Sequence, residues 1–351
     1  MTELPEIHPL ITEYQFPGTV CTCCGRITHA PTPKEIRSHF GSKLTALIAF
    51  LTVVCRLPRR KAEELLRTVL DTPIALGSIQ KSVQETSQAL ETPCAEIEQQ
   101  LSHEPVLNAD ETSWRSDGEK RWLWVFVSRV FVFFSVARSR SAEVLRRLLG
   151  ADFAGILCTD RYSTYISYHK GRAHFCWAHL KRDLLGVQQF ARTTVADRFA
   201  RDALALHARM FRLWHRFRAG DIDRRQLGLK SIPLEKAFFA LADRHVNCAD
   251  AEVSTLARLF FDHSERLFAF ILHPDVEPTN NVSERELRTA VQWRKTSFGN
   301  RSEAGELATA RLLTAVRTCL KQKRHVLDYL TDAVRAHRAG QAAPSLLPQR
   351  A

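Results

Sequence analysis

Apolar positions along the chain follow two different periods, and the switch between them divides it. From Gly41 to about Leu101 the spacing is helical, with Leu44, Leu47, Ile48, Leu51 and Val54 on one stripe and Leu65, Leu66 and Leu70 following after Pro58. Residues 104–136 change to β-branched and aromatic runs, Val106–Ala109, Trp122–Val127 and Val130–Val136, separated by polar breaks. These predict three strands, the last two paired antiparallel. Ser141 to Leu149 predicts a helix with Ser141 as its N-cap and Val144, Leu145, Leu148 and Leu149 as its apolar face. Phe153 to Asp160 reads as another strand that ends in an acid, and Ala173–Trp177 as a short strand running into a helix from Ala178.

Strand signals then vanish. From Gln189 to about His273 amphipathic helices are expected, notably Arg198–Phe217, where Arg198, Arg201, Arg209, Arg212 and Arg216 face the single acid Asp202. Breaks at Ala219-Gly220-Asp221 and Ile232-Pro233 should separate it from later helices. The helical pattern resumes from Asn281 to about Arg294 and from Glu303 to about Arg338, before an Ala, Pro and Gln-rich tail. The expected organisation is a cysteine-containing segment (1–40), a helical region (41–102), an α/β core in two parts (103–188 and 276–338), an all-helical insertion between them (189–275) and a tail (339–351). Between Leu57 and Leu90 the basic start Arg59-Arg60-Lys61, the break Asp71-Thr72-Pro73 and a second helix near Gly77-Ser78 form helix, turn, helix. Such a unit can offer Ser78, Gln80, Lys81 and Gln84 to DNA, although two packed helices of a plain bundle look the same.

Composition narrows the function. Hydrophobic residues are 45% and charged residues 25% of 351, which argues against wholesale disorder, and the apolar runs near 122–136 are broken by Ser128 and Arg129. No membrane partner is expected, because a spanning helix needs about 20 apolar residues. The acidic start Met1-Thr-Glu-Leu-Pro-Glu has no apolar core of a signal peptide, and nine cysteines, an odd number, point to a reducing cytosol. A net charge of +12 and a pI near 9.5 suit a protein that works on a polyanion.

Three acids carry the candidate chemistry. Asp110 closes the run Val106–Ala109, Asp160 closes a second apolar run, and Glu284 opens a later helix. Two divalent ions flanked by carboxylates can activate an attacking oxygen and stabilise the leaving one. Mg²⁺ prefers such oxygen ligands. The 50 residues from Asp110 to Asp160 leave room for two strands and a crossover helix that would return the second acid beside the first. A strand-end Asp is also a common turn residue, and Glu284 stands where a capping box with Asn281 as N-cap would place it. Around Glu284, residues 280–301 carry Arg285, Arg288, Arg294, Lys295 and Arg301 against Glu284 and Glu286, suited to phosphate contacts or to an i, i+4 pair of Glu284 with Arg288. No phosphate-cradling glycine motif, nucleophile elbow or His-Glu-x-x-His zinc motif occurs. Cys21 and Cys24 form half of a zinc-ribbon knuckle, and Cys176 and His179 form a Cys-x2-His pair; neither set alone reaches the four ligands of a structural zinc site. Trp177 and Trp293 could stack on bases or sit in the core.

The segments Asn108-Ala-Asp110-Glu-Thr, Thr159-Asp160-Arg-Tyr-Ser-Thr-Tyr165, Cys176-Trp-Ala-His-Leu-Lys-Arg-Asp183 and Asn280-Asn-Val-Ser-Glu284-Arg-Glu-Leu-Arg288, in that order, resemble the transposases of the insertion sequence 66 family from about residue 40 to 335. The resemblance implies a ribonuclease-H-like α/β fold: a mixed five-stranded sheet with flanking helices, a helical insertion before the third acid and an N-terminal helical region. It implies a catalytic and metal-binding Asp-Asp-Glu triad of Asp110, Asp160 and Glu284 using Mg²⁺ or Mn²⁺, with Cys176 and His179 as accessory residues. It further implies a cytoplasmic, nucleoid-associated enzyme that binds element ends and target DNA. Strand joining at two ends calls for a homo-oligomer, and the local charge around Glu284 and the helix-turn-helix pattern offer Arg285, Arg288, Arg294, Lys295 and Lys81 as the DNA contacts. Longer members carry a preceding coiled coil and a fuller cysteine-rich region, whereas Met1 lies twenty residues before Cys21, so a shortened or inactive copy is expected, with zinc at Cys21 and Cys24 open.

Overall fold

In the computed structural model, residues 1–3, 6–33, 38–297 and 299–348 are described, the side chains of Thr296 and Ser297 excepted. The polar N-terminal stretch forms only an exposed hairpin, β1 (Gly18–Val20) and β2 (Ile27–His29), around the Cys21–Cys24 turn. The helical stripe that follows becomes α1 (Ser42–Ala49), continued by a π-helical turn to Val54, then α2 (Arg59–Val69), α3 (Leu76–Ala89) and α4 (Glu91–Gln100). Pro58 at the N-cap of α2 and the Asp71–Ala75 stretch with Pro73 supply the breaks, as a residue lacking an N–H should.

Three antiparallel strands come next: β3 (Val106–Ser116), β4 (Glu119–Val127) and β5 (Val132–Ala137). The first runs well past Ala109, the end expected from the apolar run. Its second half, Glu111 to Ser116, is mostly polar, so alternation fades there. Pairing with β4 through the two-residue turn Asp117-Gly118, both at positive φ (51° and 77°), keeps it extended. After α5 (Ala142–Leu149), β6 (Ile156–Thr159) returns parallel to β3, and α6 (Ser163–Tyr168) leads to β7 (Ala173–Phe175). The sheet order is β5-β4-β3-β6-β7, mixed and five-stranded. With flanking helices this is compatible with the ribonuclease-H-like expectation.

Helices α7 (Trp177–Gln189), α8 (Thr194–Arg218), α9 (Arg224–Asp243), α10 (Ala251–Asp262) and α11 (Ser264–Leu272) follow. The break expected at Ile232-Pro233 does not form: Pro233 lies inside α9. Burial of Leu227, Leu234, Phe238 and Leu241 on one side outweighs the single backbone bond that proline forgoes. The chain closes with α12 (Asn281–Ser297), α13 (Glu303–Lys321) and α14 (Val326–Arg338).

Two cores result. One joins β3–β5 to α1, α3, α4, α5, α13 and α14. The other joins β6 and β7 to α7–α11, centred on Trp177, which is fully buried with Phe238 at 5.1 Å and Phe268 at 5.5 Å between ring centroids. Trp293 is buried too, edge-on to Trp114 at 5.9 Å. Neither tryptophan is placed to stack on a base. The outer edge of β5 is closed by α13: the Val132 and Phe134 amides donate to the Thr318 and Thr314 hydroxyls at 3.0 and 2.9 Å, so the edge offers no free ladder there.

Candidate active site

Alternation along β3 sets the site. Asn108 and Asp110 point to one face, and Leu107, Ala109 and Glu111 to the other, as the burial pattern shows. The parallel register pairs Val106 with Ile156 and Asn108 with Cys158. The ladder ends there, and Asp160 follows directly after Thr159, the last residue of β6, close enough for its charge to act on Asp110. Each aspartate anchors one oxygen on a backbone amide: Asp110 Oδ1 accepts from Glu111 at 2.8 Å, and Asp160 Oδ1 from Tyr162 at 2.9 Å. The second oxygen of each makes no hydrogen bond among the described residues.

Burial pushes the Asp110 carboxyl up to about 8; the neighbouring charges of Glu111, Asp160 and Glu284 push the same way, against the Glu111 amide. Acids from three separate segments therefore act on one carboxyl. They do not collapse into contact. The donor group whose atoms lie within 4.8 Å of one another, among the described residues, is Cys176, His179 and Glu284. Mutual repulsion keeps three carboxylates apart, and Glu284 Oε1 lies 3.4 Å from His179 Nδ1 instead.

The first turn of α12 differs from a capping box. The helix begins at Asn281, and the preceding Asn280 turns its side chain inward, Nδ2 donating to the Ala109 carbonyl on β3 at 2.8 Å. Its backbone N–H donates to Cys176 Sγ at 3.1 Å, and the Trp177 N–H donates to the Pro278 carbonyl at 2.9 Å. These bonds tie the start of α12 to β3 and to the start of α7, and so fix where Glu284 emerges. Asn280 stands in a segment flagged by resemblance, but its role was invisible because its partners lie 171 and 104 residues away.

A second set was not anticipated at all. The Glu111 carboxylate, wholly covered, receives hydrogen bonds from Arg140 and from the Tyr165 hydroxyl. Burial pushes Glu111 up while these two partners hold it down. Arg140 also lies over the Tyr162 ring, 3.6 Å from its centroid. The available signal was an acid at an apolar phase of the strand. A buried acid there needs partners, and its partners come from outside β3.

The basic residues separate into two kinds. Arg285 and Arg288 are exposed, form no ion pair among the described residues, and line a cleft of about 1070 Å³ together with Asn108, Glu284, Arg218 and Lys321. The alternative reading, a pair of Glu284 with Arg288, does not form among the described residues; Glu284 faces His179. Arg294 instead donates to Thr112 Oγ1 at 3.2 Å and to the Ser113 carbonyl and hydroxyl, half-buried against β3. Lys295 is exposed on α12 and Lys81 on α3, where Ser82, Val83 and Thr86 are buried and Gln80 Oε1 is a buried atom without a hydrogen bond. Cys21 and Cys24 sit exposed in the hairpin turn, with the Cys24 and Cys23 amides lowering the Cys21 thiol. Among the described residues no third donor joins them.

Fold and site together define a mixed α/β protein in which acids from β3, from the end of β6 and from the first turn of α12 act on one another beside a cleft lined by arginines. The chain belongs to the transposase IS66 family, which it matches over residues 37–308. That membership gives it a transposase role and makes DNA its partner. No curated protein matches the chain. No helix among the described residues is long and apolar enough to cross a membrane.

Proposed function

We propose that the protein is a ribonuclease-H-like DNA transposase that hydrolyses one phosphodiester at each end of an insertion sequence and then directs the freed 3′-hydroxyl at target DNA. The observation that carries this reading is the Asp110 carboxyl, pushed up to about 8 by burial and by Glu111, Asp160 and Glu284. A site that desolvates one carboxylate and surrounds it with others is costly unless a cation is to be bound there. The donor set fits Mg²⁺ or Mn²⁺: hard oxygens only, with one oxygen of each aspartate anchored by an amide and the other free. Asp110, Asp160 and Glu284 would hold the ions, which supply Lewis-acid activation of the attacking oxygen and charge stabilisation on the leaving one.

The chain's own residues do the rest. Arg140 and Tyr165 fix Glu111 and hence the strand that presents Asp110. Asn280 fixes the helix turn that presents Glu284. Arg285 and Arg288, without an ion pair among the described residues and lining the cleft, bind the phosphate backbone, with Lys295 and Lys81 as outlying contacts; Arg294 holds α12 on β3. Joining two element ends calls for a dimer or larger assembly on DNA.

The test is strand transfer with labelled element ends and Mg²⁺. Asp110→Asn, Asp160→Asn and Glu284→Gln should each reduce cleavage and joining by at least about a hundredfold while end binding persists. Retained activity in Asp110→Asn would remove the acid triad from the chemistry.

A further inference from the structure

Cys176, His179 and Glu284 come from two helix starts 104 residues apart in sequence, yet their donor atoms lie within 4.8 Å of one another. We propose that these three residues form a binding site for one ion of the Zn²⁺ class, with its fourth position open to water. The donor set is the first argument. A thiolate, an imidazole and a carboxylate suit a borderline-soft ion, unlike the oxygen-only pair of Asp110 and Asp160.

Geometry is the second argument. Tetrahedral zinc with bonds of about 2.0–2.3 Å holds its ligand atoms roughly 3.3–3.6 Å apart. His179 Nδ1 and Glu284 Oε1 are already 3.4 Å apart. The His179 Nδ1 atom is buried and makes no hydrogen bond among the described residues, so its lone pair is not committed elsewhere. Third, backbone donors already point at the sulfur. Cys176 precedes the first turn of α7 as its N-cap, and Asn280 donates a backbone N–H to Sγ at 3.1 Å. Backbone amides directed at a sulfur are a standing stabiliser of a thiolate. On binding, the Cys176 proton leaves to solvent and the ion takes its place on sulfur.

The site shares Glu284 with the acid triad, so one carboxylate cannot complete both. A Zn²⁺-loaded protein would therefore keep its third acid with Cys176 and His179. That consequence rests on the transposase reading, whereas the binding site does not, and the two are measured separately.

Cobalt(II) reports thiolate ligation directly. Titrating Co²⁺ into the full chain carrying Cys21→Ser, Cys23→Ser and Cys24→Ser should give a near-ultraviolet thiolate-to-cobalt band at one equivalent. Zn²⁺ should displace it and excess Mg²⁺ should not. Cys176→Ser should abolish the band, since serine keeps the acceptor for the Asn280 amide but not the thiolate. His179→Gln and Glu284→Gln should each weaken Co²⁺ binding about tenfold or more. Absence of the band in the starting protein, or a band unchanged by His179→Gln and Glu284→Gln, would overturn the site; these two variants decide the matter if Cys176→Ser does not fold. Cleavage with Mg²⁺ alone is scored in parallel. Its loss to added Zn²⁺ in the protein that shows the band supports the sharing of Glu284, and its indifference refutes it.

Discussion

Asp110 bears the largest mismatch between what its side chain needs and where the chain puts it. A carboxyl whose folded pKa is about 8 binds more protons in the folded than in the unfolded state across the interval down to the ordinary value of 3.8. Its ionisation therefore costs stability, a cost absent below pH 3.8 and fully present above pH 8. Asp110→Asn should raise the unfolding free energy at pH 9 by a few kcal/mol and leave it nearly unchanged at pH 4. Urea titrations at the two pH values measure this, and destabilisation at pH 9 would contradict it. A residue that weakens the fold in its charged form is one the fold keeps for another reason. At this scale the sequence was informative where a residue's meaning is local: Asp110 and Asp160 each close an apolar run. It was silent on Glu111, Tyr165, Arg140 and Asn280, whose meaning lies in partners between 29 and 171 residues distant.

Among elements, the strands and helices with strong periodicity were legible, and the misses have physical causes. Asp117-Gly118, a pair suited to two successive positive φ angles, closes the hairpin between β3 and β4, but the polar half of β3 hid the strand leading into it. Pro233 was read as a break because local propensity says so, whereas the packed face of α9 prevailed. Nothing local could show that α13 caps the sheet edge through two hydroxyls. Thr318→Val keeps the volume but leaves the buried Val132 N–H without its acceptor, which should cost about 1–3 kcal/mol. Thr314→Val should do the same through Phe134. Thermal unfolding of each variant checks this; near-neutral results would mean that the edge amides find other partners. Gly299 is the tighter constraint. It sits at φ 92°, and an added Cβ would lie 2.1 Å from the Arg115 carbonyl oxygen, where the Asn300 amide docks at 2.9 Å. Gly299→Ala should loosen the junction between α12 and the end of β3 and lower the melting temperature accordingly.

For the molecule as a whole, the charge of +12 matters through its placement rather than its sum. Many arginines are spent internally: Arg140 on Glu111, Arg317 on Glu286, Arg338 on Glu85, Arg294 on Thr112 and Ser113. Arg285 and Arg288 are not, and they project from the helix that carries Glu284 into the cleft beside it. Each phosphate neutralised on duplex DNA contributes about 0.9 to the slope of log affinity against log salt, because bound counterions are released. The double variant Arg285→Ala, Arg288→Ala should therefore lower that slope by roughly 1.8 and weaken binding most at low salt, with folding stability almost unchanged. Arg294→Ala should behave in the opposite way: a loss of stability from the broken contacts to β3, and a salt slope close to that of the unaltered protein. Fluorescence anisotropy with duplex DNA at several salt concentrations separates the two outcomes. Equal slopes for the double variant and the unaltered protein would place the DNA path elsewhere on the surface, and the cleft beside Glu284 would lose its claim to it.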